Sequence, residues 1–564
     1  QISQHRHECC KKSASSERKN MSSIYQNFCT EIMDENGNLK KITLNYPENF
    51  NFGYDVVDKY AEIAPDKRAI VWCNVENEEH VFSFLDVKRY SNKMANVFRA
   101  SGIGRGDRVM LVLKRHYEYW FAAVALHKLG AVMIPATHML TVDDFVYRIK
   151  ASKIKAVVCT AQDDAACNIK EALRKAGHSA KLWCVQKDID GFVNLTSEME
   201  SASDVFERVN TNVSDPMMLY FTSGTTGYPK GVIHDFSYPL AHIVTAKYWQ
   251  QAQDNGLHFT VAETGWAKAS WGKIYGQWLV GSAVMVYDFD NFDPKQLVAV
   301  INRYGVTSFC APPTVYRYLV RKGIDRMPSL KHASTAGEML APEIFRKFTQ
   351  ATGIPLCEGY GQTETTLLMA NFMGRQPKEG SMGTISPFYN IELRDRAGRK
   401  VKDGQIGEVV IIPPESGKQP GVFTGYLDND EQFEYVWRDG VYHTGDAAYK
   451  DSDGLYWFHG RFDDIIKTGG FRVGPYEIEN VLMEHPDVVE CSVIGVPDKL
   501  RGQAIKAVIV LGHGCEANRE TELEIKEFCN RRLAEYKWVR LIEFVSEMPK
   551  TISGKIKKAE LRKG

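Results

Sequence analysis

The chain has 564 residues, too many for one hydrophobic core, so two or more domains are expected. Its apolar content of 44% and charged content of 25% are ordinary for a globular protein, and 70 basic residues balance 70 acidic ones. That balance excludes a global field drawing the chain to nucleic acid or anionic lipid.

Residues 1–40 read as an N-terminal tail, disordered in part. Gln1–Asn20 is polar with no apolar core of a secretory signal, and Met21 reads as a natural start. The His5-x-His7-x-Cys9-Cys10 cluster is a tail feature rather than a metal site, for want of a second ligand set. The 12 cysteines lack any Cys-x-x-Cys pair, which predicts reduced thiols and a cytoplasmic location.

From Ala69 to Val213 strand-like runs alternate with amphipathic helices. Ala69–Val75, Arg108–Leu113, Ala156–Thr160 and Leu182–Val185 read as strands, with Phe84–Ala100 and Asn168–Ala176 as helices. Tyr119–Ala136, the longest apolar stretch, is broken by His127, Lys128 and Gly130. It therefore predicts a helix (Tyr119–Leu129) and a strand (Ala131–Ile134), not a membrane span. Such alternation implies parallel sheets covered by helices. It resumes with Pro294–Tyr304 (helix), Val306–Cys310 (strand) and Pro342–Thr352 (helix), and Gly380–Phe458 reads as a β-rich subdomain. Past Phe462 a helix (Tyr476–Met483), two strands (Val488–Gly495, Ala504–Leu511), a helix (Glu520–Leu533) and a strand (Val539–Val545) predict a small α+β domain. The expected division is 1–40, 41–462 and 463–564.

Between the strand Met217–Phe221 and Gly231 the chain reads Thr222-Ser223-Gly224-Thr225-Thr226-Gly227-Tyr228-Pro229-Lys230-Gly231. Glycines free backbone N–H groups to face an anion, and the hydroxyls and Lys230 add donors. It is not a Walker A loop, whose Gly-Lys-Ser/Thr spacing is absent. Further on, Gly359-Tyr360-Gly361-Gln362-Thr363-Glu364-Thr365 joins close backbone approach to one carboxylate that suits Mg²⁺ or, alternatively, a helix start. Ser334–Glu338 is a small-residue turn suited to a flat ring. Asp446 in Tyr442–Asp446 can accept from both ribose hydroxyls or simply close a turn. Gly460-Arg461 and Lys467–Arg472 set cations and glycines beside the expected domain joint.

Together these segments resemble the adenylate-forming superfamily of acyl-CoA synthetases, luciferases and peptide-synthetase adenylation domains. The resemblance runs from about Ala69 to Lys558 and is nearest to the medium-chain acyl-CoA synthetases. It implies a large N-terminal α/β domain with a β-rich subdomain, then a small mobile α+β domain. It also implies that Thr222, Ser223, Gly224, Thr225, Thr226, Gly227 and Lys230 hold the ATP phosphates. Gly337, Glu338, Glu358, Gly359 and Tyr360 would line the adenine, Thr363 the α-phosphate, Glu364 the Mg²⁺, and Asp446 and Arg461 the ribose. Lys555 would be the adenylation lysine, Asp463 the hinge and Arg472 a cation of the second step. Gly469, Gly470, Phe471 and Arg501 would face CoA.

The implied activity is ATP-dependent acyl-CoA synthesis through an acyl-AMP. The alternatives are an acetyl-, propionyl- or aryl-CoA ligase, a luciferase-like enzyme or a stand-alone adenylating enzyme. Partners are the acid, ATP and CoA, with a homo-oligomer compatible. Gly361 replaces a bulky aromatic of acetyl-specific relatives and leaves room, which Trp266, Lys268 and Trp271 in the pocket segment would partly fill. Short-to-medium, branched or straight aliphatic acids are therefore expected. Lys268 is out of character there, since an unpaired ammonium is costly in an apolar pocket.

Overall fold

The computed structural model describes residues 23–222, 229–324, 326–338, 340–462, 464–469, 471–551 and 554–563. Two large sheets carry the N-terminal part. The first, of eight strands, runs in space from Gly425–Tyr426 through Lys230–Asp235, Pro216–Thr222, Val132–Pro135, Arg108–Val112, Ala156–Thr160 and Lys181–Val185 to Val193–Asn194. It is parallel from Pro216–Thr222 onward. The second has nine strands. Its parallel centre is ordered Leu356–Gly361, His332–Ala336, Ser308–Ala311, Leu257–Thr260, Ala283–Asp288, Arg68–Asn74, with antiparallel strands at both edges.

Local sequence explains the helices that cover these sheets. Phe84–Ala100 begins with a capping box in which Ser83 and Asp86 satisfy each other's backbone N–H. Glu118–Leu129 is buried at every position and ends at Gly130, whose φ of 70° makes the left-handed turn into the next strand. A helix buried all round must lie inside the protein, and one apolar cluster joins it to side chains of both sheets. Pro294–Tyr304 and Pro342–Thr352 each carry proline in the first turn and glycine at the C-cap.

Residues 29–33 and 39–44 form a hairpin, and Ile24, Tyr25, Phe28 and Ile42 belong to the main core. Within residues 1–40, read as a tail disordered in part, the described residues from 23 on are folded. Lys247 and Tyr248 clasp Glu31 of this hairpin, which explains its place. The β-rich part is an antiparallel sheet of Asn390–Arg394, Gly407–Ile412, Tyr442–Lys450 and Tyr456–Arg461. Beyond it lies a five-stranded sheet with its own core around Ile466, Ile478, Val493 and Ile509. The fold is thus a large α/β part, a β-rich part and a small α+β C-terminal domain. Among the described residues, no helix is long and apolar enough to cross a membrane.

Candidate active site

Ligands of open α/β sheets gather at the carboxyl ends of the strands. Here those ends are Thr222 in the first sheet and Ala336 and Gly361 in the second. Thr222 pairs with Lys230 in an antiparallel hairpin, so the two flanks of the glycine-rich loop are adjacent. Ser223, Gly224, Thr225, Thr226 and Gly227 lie outside the described residues. The two sheets are tied together at this corner. His234 donates from Nε2 to the Thr363 carbonyl at 2.7 Å, and Phe423 N–H donates to the Glu364 carbonyl at 2.7 Å. Burial lowers His234 to about 4, so its ring is neutral and keeps that donor.

Glu364 lies in a turn rather than at a helix start, which removes the helix-dipole alternative. Its Oε1 accepts from Tyr426 Oη at 2.9 Å. Lys230 lies over the Tyr426 ring, 5.4 Å from its centroid. Burial lowers the Lys230 ammonium, Glu364 partly restores it, and Arg461 opposes it. A lysine, a carboxylate and a guanidinium therefore share one corner. Among the described residues no three His, Cys, Asp or Glu side chains group as a metal site. Glu364 suits a cation held by one carboxylate plus phosphates and water, as Mg²⁺ usually is.

Gly337 ends the strand His332–Ala336 with φ 95°, beside the parallel strand that carries Glu358 and Gly359. Glu358 N–H donates to Asn371 Oδ1, while its buried Oε2 has no partner and burial raises its carboxyl to about 8. Such an orphaned oxygen in a cleft is a place for a ligand's N–H or a proton of its own. A Cβ on Gly359 would sit 2.5 Å from Trp249 Cε2, so only glycine lets the backbone lie on that indole. Glu338 is exposed and accepts from Thr314 Oγ1 at 2.6 Å.

Asp446 lies in a strand, not a turn. Its Oδ2 accepts from Tyr360 Oη and Gln362 Nε2, both at 2.6 Å, and its Oδ1 from Arg461 Nη1 at 3.0 Å. Oδ2 has no further lone pair to offer, so this geometry leaves Oδ1 room for one hydroxyl rather than two. Although burial alone would lower it, Asp446 holds the Arg461 guanidinium above its ordinary value. Glu408 supports the segment by meeting His443 Nδ1 at 2.9 Å and Gly445 N–H at 3.0 Å.

In the acyl segment, Gly361 does not leave a void. A Cβ there would lie 2.4 Å from Trp271 Cη2, so the indole occupies the room that glycine releases. Trp266 is half-buried where the short helix Ala267–Gly272 begins. Lys268 is half-buried, and among the described residues no carboxylate meets it in an ion pair. It donates to the Ala336 carbonyl at 2.6 Å, at the Gly337 turn, and burial lowers its ammonium.

Among the described residues, the helix Pro475–Met483 of the C-terminal domain packs toward this site. Tyr476, in Pro475–Met483, packs edge-on to Phe458 at 5.9 Å, and Phe458 lies 6.0 Å from Tyr360. Lys555 is exposed, and its carbonyl accepts from Thr551 N–H at 2.8 Å. Among the described residues no hydrogen bond or ion pair joins it to Thr363, Glu364 or Asp446. Gly469 N–H donates to the Arg501 carbonyl at 3.0 Å, and Phe471 stacks on Tyr536 at 4.5 Å, again without such a link to the cleft. Asp463, Gly470 and the Arg472 side chain lie outside the described residues. Tyr426 and Glu408 carry no signal in the sequence, because their partners are 62 and 35 residues away. Gln362 lies inside a motif and was open to notice.

Comparison with known proteins agrees with this geometry. The AMP-binding enzyme family matches residues 57–427, and the AMP-binding enzyme C-terminal domain matches 477–555. Human acyl-coenzyme A synthetase ACSM3, mitochondrial, is 38% identical over 532 residues, covering 92% of this chain and 90% of that protein. Human ACSM4, also named mitochondrial, is 36% identical over 529 residues with the same coverage. Among solved structures, the anthranilate CoA ligase AuaEII with anthranoyl-AMP is 25% identical. It covers 92% of this chain and 98% of its own, with a TM-score of 0.83. The Brucella canis acyl-CoA synthetase is 29% identical, covering 91% and 94%, with a TM-score of 0.69. The chain belongs to the adenylate-forming AMP-binding enzyme family.

Proposed function

We propose that the chain is an AMP-forming acid–CoA ligase that joins a carboxylic acid to CoA at the expense of ATP. The observation that carries this reading is the convergence of Lys230, Thr363 and Glu364, at the carboxyl ends of two sheets, with Asp446 and Arg461 of the β-rich sheet. A carboxylate oxygen attacks the α-phosphorus of ATP, and pyrophosphate leaves with the electron pair of the broken P–O bond. A thiolate of CoA then attacks the acyl carbonyl carbon, and AMP leaves.

Each residue has a task set by its chemistry. Asp446 Oδ1 accepts a ribose hydroxyl, Gly337 and Glu358–Tyr360 bound the adenine, and Lys230 with the flanking loop meets the phosphates. Glu364 would hold Mg²⁺, which supplies positive charge to the phosphates when bound. Two anions meet in the first step, so a cation at the joining point lowers its barrier. Lys555 would bring that charge when the C-terminal domain turns, with Asp463 as hinge and 41–462 and 463–564 as the moving parts. The second step would present Gly469–Arg472 to CoA, with Arg501 beside it. The contact of Tyr476 with Phe458 supports a face of the helix Pro475–Met483 lying toward the cleft in one of these poses. Ten described cysteines are free thiols, which supports a reducing compartment such as the cytoplasm. Tagged full-length chain followed by fractionation tests that placement.

Acids of two to ten carbons, assayed for pyrophosphate release and thioester formation, test the reaction. Both products are expected with at least one acid, and neither with any acid overturns the reading. Asp446→Asn keeps the shape but puts an amide beside Arg461 and removes a charged acceptor. ATP affinity is expected to fall about 10- to 150-fold, from roughly 1.5–3 kcal/mol per hydrogen bond to a charged group. An unchanged ATP KM in that variant would remove Asp446 from the ribose site.

A further inference from the structure

Around Trp271 the interior is polar in a way the reaction does not use. Tyr238, His242, Gln250 and Gln277 are all fully buried. Four of their atoms, Tyr238 Oη, His242 Nε2, Gln250 Nε2 and Gln277 Oε1, have no hydrogen-bond partner. They belong to one neighbourhood. The His242 ring lies 5.9 Å from the Trp271 indole and 4.6 Å from the Tyr238 ring. Gln277 Nε2 donates to the Trp271 carbonyl at 3.1 Å and to Gln250 Oε1 at 2.5 Å. Tyr220, Trp271 and Tyr389 are the polar neighbours acting on the Tyr238 hydroxyl, and none meets it in hydrogen-bond geometry.

A buried polar atom without a partner costs about 1–3 kcal/mol, and native interiors hold few of them. Four of them fall in one neighbourhood, on residues linked to Trp271 through its ring or its main-chain carbonyl. Exchanging oxygen and nitrogen on either glutamine does not satisfy all four, because Gln277 and Gln250 already share their one mutual bond. Trp271 in turn lies against Gly361, at the end of the strand carrying Glu358 and Tyr360. If Trp271 borders the acid, the unmet atoms adjoin the acid's far end, and they include both donors and an acceptor.

We propose that the acid site is polar at its closed end, where a hydroxyl carried by the acid meets up to three of the unmet atoms of Tyr238, His242, Gln250 and Gln277. This rests on the acid–CoA ligase reading and on Trp271 bordering the acid. A hydroxyl both donates and accepts, which matches the mixed set. A plain alkyl end would leave all four atoms unmet, so hydroxy acids, aliphatic or phenolic, are preferred over alkyl acids of equal size.

The test compares each hydroxy acid with its isosteric methyl analogue in the full chain, by kcat/KM for pyrophosphate release. The hydroxy acid is expected to win by about tenfold or more, the scale of one buried hydrogen bond to an otherwise unpaired group. Tyr238→Phe keeps the ring and removes the hydroxyl, and His242→Leu replaces the imidazole. Each is expected to shrink the hydroxy-to-methyl preference toward unity, read as the ratio of the two kcat/KM values within each variant. Should His242→Leu fail to fold, Tyr238→Phe alone decides. Equal use of both acids, or a preference untouched in Tyr238→Phe, overturns the proposal and leaves trapped water as partner of the four atoms. Failure of every acid to release pyrophosphate instead overturns the ligase reading.

Discussion

Lys555→Ala is expected to abolish acyl-AMP formation while thioester formation from supplied acyl-AMP continues. The reason is electrostatic. A carboxylate and an α-phosphate repel each other as they approach, and a positioned ammonium stabilises the charge that builds between them. Losing it should cost on the order of 3 kcal/mol or more, roughly 100-fold or more in rate. In the second step the nucleophile is a thiolate, the leaving group is AMP, and that charge is no longer needed at the same point. The geometry is in keeping with such a division. Lys555 is exposed, while Tyr476 of the same domain is packed against Phe458 near the cleft. Isotope exchange between pyrophosphate and ATP reads the first half-reaction, and CoA thioester from synthetic acyl-AMP reads the second. Equal loss of both would mean that Lys555 supports the domain rather than one step.

Parts of this fold were open to reading because single residues punctuate the chain. Pro294 and Gly305, or Pro342 and Gly353, mark helix starts and ends that match the structure to the residue. Gly130 divided the longest apolar stretch where the helix does end. The segment 230–293 carries no periodic pattern that marks its elements, and the reason is physical. Strands Leu257–Thr260 and Ala283–Asp288 are buried on both faces, so they show no alternation, and Val244–Trp249 is a wide helical turn with no sequence mark. The candidate site divides in the same way. Glycines and the carboxylates Glu364 and Asp446 stand out in short motifs. Tyr426, which grips Glu364, and Glu408, which holds Gly445, act across the fold and leave no local pattern. Gly361 is the instructive case. Its missing side chain read as space, but space in a packed interior belongs to whichever neighbour reaches it, and here that is Trp271.

Trp271→Ala should therefore move acid preference toward longer chains. The indole is buried, meets Trp249 edge-on at 6.4 Å, and fills the room beside Gly361. Removing it opens roughly the volume of several methylenes, each worth about 0.8 kcal/mol when newly buried. Discrimination between acids differing by one methylene is of the order of 1–3 kcal/mol, so the optimum should shift visibly, and the shortest acids should lose affinity. A competing cost is certain in sign: truncating a buried aromatic destabilises a core by about 3–5 kcal/mol if nothing refills the cavity. The two effects separate cleanly, because stability lowers activity for every acid alike while pocket volume changes their ratio. Gly361→Ala is not the reciprocal experiment, since its Cβ would also lie 2.4 Å from the Thr366 carbonyl oxygen, a backbone atom that cannot step aside. The measurement is kcat/KM across straight and branched acids of two to ten carbons, with Tm recorded for the variant. A lowered Tm with an unchanged chain-length profile would show that Trp271 serves the core alone, and the acid would then be measured by some other wall of the cleft.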